Sequence, residues 1–232
     1  MTMTTTNGIT KTLHKNVLLY DLRENMTEEQ EDMVNSILNN TITFVDARAG
    51  AGKTTIAVAM AKYLWEQKGM KMTYVFSPVE ERAMGFRPGT QEEKEVEYLQ
   101  PLFDALIEVG EQQPKLLLEN DGNEEGMKSG KTWIDAKSHI FARGTNLKDR
   151  VVIVDESQNF TRGDLKKLLT RIHDSCIVIV IGHTGQCDLP ASSTSGFEPY
   201  MKHFEGEPYA GVVKLTHNFR GVISTKADEL GW

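Results

Sequence analysis

Cysteine is scarce in this chain. Its 232 residues hold two, Cys176 and Cys187, with no C-x-x-C spacing. That excludes a disulfide framework and argues against a thiolate zinc site. Long apolar runs are missing as well. Ile56 to Ala61 and Cys176 to Ile181 are the longest, far short of the ~18 residues a membrane span needs. The segment Met1 to Gly8 is polar and has no apolar core of the secretory type. These absences predict a soluble, cytoplasmic protein with no membrane partner. Positive charge is also in deficit, with 26 Lys and Arg against 33 Asp and Glu, a net of −7. A protein wrapped in nucleic acid by bulk charge is thereby excluded, while a local basic groove is not.

What the chain does have is apolar patterning of two kinds. Thr27 to Gln30 opens a helix through about Leu38, and Thr27 with Gln30 fits a capping box. Thr41 to Asp46 reads as a strand, Thr54 to Gln67 as a helix and Lys71 to Phe76 as a second strand. Ser77 to Gly89 is broken by proline and glycine. Glu92 to Glu111 is helical in pattern, with Pro101 placed to kink or split it. Asp121 to Gly126 reads as a mobile loop within an acidic stretch. Strands are expected at Ser138–Phe141, Val151–Asp155, Cys176–Ile181 and Ala210–Leu215, with a helix from Gly163 to His173. Strands alternating with helices predict an α/β fold with a mainly parallel, doubly wound sheet. Val151–Val154 and Ile177–Ile181 are apolar throughout, as central strands covered on both faces should be.

Between the first strand and its helix stands Asp46-Ala-Arg-Ala-Gly-Ala-Gly-Lys-Thr-Thr55. A strand, a small-residue loop ending in Gly-Lys-Thr and a helix make a phosphate cradle, because backbone N–H groups point at the ligand. Ala49, Gly50, Ala51, Gly52, Lys53, Thr54 and Thr55 are its expected nucleotide-binding residues. Lys53 reaches the β/γ-phosphates and the Thr54 hydroxyl binds Mg²⁺. Ala47 occupies the place where the usual pattern has its first glycine, a change tolerated unless the backbone there needs positive φ.

Val151 to Glu156 supplies the second half. Asp155 is expected in the Mg²⁺ shell and Glu156 as the base that orients and deprotonates water. Gly182-His-Thr-Gly-Gln186 follows an apolar strand, at the edge where ligands sit in open α/β sheets. Gln186 is the main candidate for sensing the γ-phosphate, and His183 the second. Arg220, after the last strand, has the planar fork suited to a transferring phosphoryl group. Catalysis is thus expected of Lys53, Glu156, Gln186 and Arg220.

Ala49-Gly-Ala-Gly-Lys-Thr54, Val154-Asp-Glu-Ser-Gln-Asn159 and Gly182 to Leu189 stand in the order of superfamily 1 helicase motifs. With Gly85-Phe-Arg-Pro-Gly89, Glu93-Lys94, Tyr98 to Leu106, Phe141-Ala-Arg-Gly-Thr145 and Leu168 to Ile172, the chain resembles PhoH-like ATPases over about residues 22 to 221. The resemblance implies one RecA-like domain over 21–232, and the terminal segment ahead of it, 1–20, is expected to be flexible. It makes Gln30 an adenine-reading glutamine, and it has Arg143 contacting phosphate across a subunit interface or binding nucleic acid. His183 departs from the Asp that related proteins often carry. The compact form looks like the phage type, which would place it in the host cytoplasm.

The function expected is Mg²⁺-dependent ATP hydrolysis acting on RNA or single-stranded DNA. One RecA-like unit predicts a homo-oligomer, a ring, whose neighbour completes each site. Whether Arg220 acts in its own site or a neighbour's stays open. A P-loop small-molecule kinase and a nucleotide-dependent scaffold without turnover are the alternatives.

Overall fold

The computed structural model describes residues 11–14, 17–78, 98–119, 123–142, 144–189 and 191–228. Six strands form one sheet: β1 (Ile42–Ala47), β2 (Lys71–Phe76), β3 (Ile134–Ser138), β4 (Arg150–Val154), β5 (Ile177–Gly182) and β6 (Ala210–Leu215). Their order is β3-β2-β4-β5-β1-β6, and every pairing is parallel. Eight helices accompany them among the described residues: α1 (Glu28–Asn39), α2 (Lys53–Lys68), α3 (Gln100–Glu108), α4 (Glu124–Ser129), α5 (His139–Ala142), α6 (Arg162–Leu169), α7 (Phe197–Phe204) and α8 (Val222–Asp228).

Alternation along the central strands builds two cores. Val45, Val151, Ile153, Ile179 and Ile181 face one side, against α1, α2 and α3. Phe44, Val152, Val154, Val178 and Val180 face the other, against α6 and α7. All ten are fully or almost fully buried, which explains why these runs carry no polar face. β5 lies between β1 and β4, with Val45 opposite Ile181 and Val154 opposite Val180. The C-terminal ends of these three strands therefore open on one edge of the sheet.

The predicted capping box at Thr27 and Gln30 is present in both directions. α3 begins with Pro101 in its first turn, after a turn at Leu99, so the proline starts a helix rather than bending one. Other expectations need correction. The strand expected at Ser138–Phe141 is Ile134–Ser138, and Phe141 lies on the helical turn α5. β3 is an edge strand whose Asp135 and Lys137 pair with each other at 2.7 Å. It carries too few apolar residues to show a period, while Ile140 and Phe141 are each 55% exposed. The helix expected through His173 ends at Leu169, where Thr170 Oγ1 donates back to Lys166 O and Ile172 bridges to Leu147. Of the loop expected at 121–126, Asn123 instead caps α4, and its amide donates to the carbonyls of Lys115, Leu116 and Leu118.

Of the segment 1–20, residues 11–14 and 17–20 are described, and Leu13 and Leu19 sit in the first core. Residues 79–97, 120–122 and Arg143 lie outside the described residues. The readings placed on Gly85–Gly89, Glu93, Lys94 and Arg143 therefore receive no structural description.

Candidate active site

The loop after β1 turns through two glycines in left-handed backbone, Gly50 at φ 75° and Gly52 at φ 74°. A Cβ on Gly50 would sit 2.5 Å from Asn218 Oδ1 and 2.9 Å from Arg220 Cγ, so side chains are excluded there by space as well as by φ. Ala47 ends β1 in strand pairing with Leu215 and has no positive φ. The first glycine of the usual pattern is not needed at that place.

α2 starts at Lys53, so its first-turn N–H groups face the loop. Thr54 Oγ1 donates to Asp155 Oδ2 at 2.9 Å. Thr55 turns the other way and donates to Glu108 Oε2 at 2.5 Å. Asp155 follows β4 and is buried. Its Oδ2 also accepts from Tyr74 Oη at 2.7 Å, and its Oδ1 accepts from Glu156 N at 2.8 Å. Burial and then the Glu156 charge push the Asp155 carboxyl above the usual range, opposed by Lys53 and the Tyr74 hydrogen bond. Tyr74, on β2, has its phenol held well above its usual value by the same burial and by Asp155.

Glu156 stands at φ 48°, left-handed for a non-glycine residue, the kind of held backbone that clusters at functional sites. The turn aims its carboxylate outward. Lys53 Nζ lies 3.4 Å from Glu156 Oε1. Gln158 Nε2 donates to Glu156 Oε2 at 2.5 Å, while Gln158 Oε1 accepts from His183 N at 3.1 Å. One amide side chain thus ties Glu156 to the tip of β5. Ser157 Oγ donates to Ile181 O at 2.6 Å and fixes the same two strand ends. The loop after β5 is held to β1 because Thr184 N and Oγ1 both donate to the Asp46 carboxylate.

Two cavities adjoin these groups. One, of about 440 Å³, is bounded by Met26, Gln30, Gly50, Gly52, Phe219 and Arg220 among others. Gln30 Oε1 accepts from Thr27 N at 3.0 Å and Gln30 Nε2 donates to Ala51 O at 3.0 Å, so this residue joins the cap of α1 to the loop. Arg220 reaches the loop of its own chain at Gly50, where Phe219 N donates to Gly50 O at 3.0 Å. The other cavity, of about 420 Å³, is lined by Gln158, Arg162, His183 and Gln186 with neighbours from α7. Gln186 therefore stands beside the Glu156–Gln158–His183 chain.

Oxygen donors of the Thr54–Asp155 type suit Mg²⁺, which takes one or two carboxylates and keeps its waters. The buried Asp155 carboxylate, disfavoured as a lone charge, fits such an ion. Among the described residues no group of three His, Cys, Asp or Glu forms a metal cage, and Mg²⁺ at a phosphate site needs none.

Sequence reading missed Tyr74, Asp46 and the linking role of Gln158. Only Gln158 carried a local signal, two residues after Glu156 in a tight turn.

A P-loop at the tip of an interior strand, with an Asp-Glu pair one strand beyond its neighbour, defines a P-loop NTPase of RecA-like, helicase-type architecture. The UvsW helicase of bacteriophage T4 shares the fold at a TM-score of 0.50 and 9% identity, over 81% of this chain and 59% of that one. The family model for PhoH-like protein matches residues 24–225, and the chain belongs to that family. A PhoH-like protein of Mycobacterium leprae is 36% identical over 73% of this chain and 46% of its own length. Protein PhoH of Escherichia coli is 31% identical over 81% of this chain and 51% of its own length. The chain thus spans about half the length of these relatives. Among the described residues no helix is long and apolar enough to cross a membrane.

Proposed function

We propose that the chain is a Mg²⁺-dependent ATPase that works on RNA or single-stranded DNA as a homo-oligomer. The observation that carries the hydrolytic part is Glu156, held between Lys53 and Gln158 and beside the Thr54–Asp155 pair.

Without nucleotide, the Lys53 ammonium is neutralised by Glu156. A bound triphosphate draws Lys53 to its β/γ-oxygens, and loop N–H groups from Ala49 to Thr55 hold the phosphates. Glu156 is then free to accept a proton from water. The water oxygen bonds to the γ-phosphorus, the bond to the β-phosphate oxygen breaks, and ADP and phosphate result. Gln158 keeps the Glu156 carboxylate oriented and passes its position to the β5 loop, where Gln186 senses the γ-phosphate. Arg220, beside its own Gly50, stabilises phosphoryl charge in cis. Thr54 and Asp155 would hold Mg²⁺, which neutralises phosphate charge when bound.

Gln30 uses one donor and one acceptor within the chain, leaving one of each. That remaining pair matches adenine N7 and N6, whereas guanine offers two acceptors there. ATP is therefore the favoured nucleotide. The Asp155–Glu156 strand end with Gln186 close by supports water as the acceptor over the metabolite of the kinase alternative.

Oligomer formation is supported by α8. Val222 and Ile223 are each 85% exposed, next to Phe219 and Arg220. A neighbouring copy covers this face and closes the nucleotide cavity. Phosphate release from ATP alone, stimulated by RNA or DNA strands at low salt, is the expected result. No release without an added acceptor overturns the hydrolytic reading. A monomer in light scattering with full turnover overturns the oligomer.

A further inference from the structure

Basic charge collects on one helix of this acidic chain. From Arg162 to Arg171 there are four cations and one acid, Asp164. That acid sits in the α6 cap, where Thr161 N and Oγ1 donate to it. Among the described residues no carboxylate forms an ion pair with Arg162, Lys166 or Lys167. An open groove of about 420 Å³ lies between α6 and α7, lined by Arg162, Gly163, Lys166, Pro199, Tyr200 and His203. No acid lines it. Arg162 and Lys166 stand one helical turn apart on its α6 wall. Tyr200 forms part of the α7 wall, its ring fixed against Phe204 at 6.5 Å. The groove shares Arg162 and Pro199 with the cavity that holds Gln158, His183 and Gln186.

We infer that this groove binds a single nucleic-acid strand, with backbone phosphates on Arg162 and Lys166, a hydrogen bond from His203 and a base on Tyr200. Unpaired cations attract phosphates by counterion release, and an aromatic face accepts any unstacked base. A duplex offers no free base for Tyr200, so the strand is single. Because Arg162 belongs to both cavities, a bound strand is felt beside Gln158 and Gln186, and strand binding speeds turnover. The inference rests on the proposed function for its partner class only.

The test is fluorescence anisotropy of the full chain with labelled RNA and DNA oligonucleotides at several salt concentrations. Arg162→Ala/Lys166→Ala should weaken binding on the order of 10-fold at low salt. It should also flatten the log–log salt slope by about 1.4, two phosphates at about 0.7 each. Tyr200→Leu should weaken binding roughly 5-fold and leave the slope unchanged. Lys166→Glu, a single exposed change, should weaken it further than Lys166→Ala and guards against misfolding of the double variant. Lys128→Ala, an exposed charge elsewhere, should change nothing. RNA and DNA arms decide which strand is preferred. Wild-type binding unaltered in the double variant overturns the groove and leaves the proposed function standing. No wild-type binding of either strand overturns the groove and the nucleic-acid half of that function, and leaves the ATPase. Equal competition by an acidic polypeptide overturns the assignment to nucleic acid.

Discussion

The cavity beside Gly50 and the cavity beneath the tips of β4 and β5 are nearly equal in size, about 440 and 420 Å³, yet they are built differently. In the first, polar side chains are already committed to holding the frame. Gln30 bonds at both ends of its amide, Thr55 is tied to Glu108, and Asn218 packs on Gly50. Into the second runs a chain of bonds that starts outside it, from Lys53 through Glu156, and ends on its lining residues Gln158 and His183. His183 Nδ1 is buried there without a hydrogen-bond partner among the described residues. A committed frame needs little rearrangement when a ligand arrives, which favours affinity. A chain with an open end can change partners as phosphate leaves, which favours reporting on the reaction. We therefore assign nucleotide affinity chiefly to the first region, and the activation of water and the sensing of hydrolysis to the second.

Glu156→Gln tests that division most severely. Turnover should fall roughly 100-fold or more, the range for loss of a general base, while ATP affinity is kept. Phosphate release and equilibrium binding of a fluorescent ATP analogue measure the two. If binding falls in parallel with turnover, the second region also serves affinity and the division breaks.

Asp155→Asn should also cut turnover severely, while raising the stability of the nucleotide-free protein. The raised carboxyl means that folding favours its neutral form. Its favourable contribution exists at low pH and is lost as pH rises through the raised value. At neutral pH a site that disfavours the charged carboxylate weakens the nucleotide-free protein relative to low pH, and an amide removes that effect. The Thr54 and Tyr74 hydroxyls can rotate to accept from the new NH₂. In chelator and without nucleotide, the melting temperature should rise by roughly 3 °C. The gain should shrink as pH falls toward ~3.9, the ordinary aspartate value. A fall in melting temperature at neutral pH would show that hydrogen bonding, rather than burial of charge, dominates this site.

The first region was the more legible of the two in the sequence. Its signals are local: Gly-Lys-Thr at a strand-to-helix junction, Thr27 three residues before Gln30, and strands long enough to show a period. The sheet and the position of Asp155 followed from the same runs. The contacts that finish the second region are set by register across distant strands. Tyr74 meets Asp155 81 positions away, and Thr184 meets Asp46 138 away. No spacing in the chain announces such a pair. β3 escaped for another reason, since an edge strand paired on one side tolerates Asp135 and Lys137 and loses its apolar signature.

Gln30→Ala sharpens the account of the first region. It removes the base-facing donor and acceptor together with the bond to Ala51 O. The preference for ATP over GTP in competition binding should drop on the order of 10-fold, within the worth of one bidentate contact to a base edge. Loss of the reciprocal cap should lower stability by about 1 kcal/mol. An unchanged nucleotide preference would leave Gln30 as a structural tie between α1 and the loop.

The smallest effect is expected from Glu29, next to Gln30 on the first turn of α1. Its carboxylate accepts from Thr216 N at 2.6 Å, Thr216 Oγ1 at 2.5 Å and His217 N at 3.4 Å. It thereby clamps the end of β6, from which Asn218 and Arg220 reach the loop. The Thr216 hydroxyl bond is the main cause holding the carboxyl below its usual value. A depressed folded-state value means stability that is present above ~4.3, the ordinary glutamate value, and lost as pH falls through the lowered one. Glu29 is only partly buried at the surface, so screening keeps the contribution small. Glu29→Gln should lower the melting temperature by about 1–2 °C at pH 7, with the two curves converging as pH drops below ~4. If the variant also weakens ATP binding while Glu156→Gln does not, affinity depends on the clamp that presents Arg220 as well as on the loop itself.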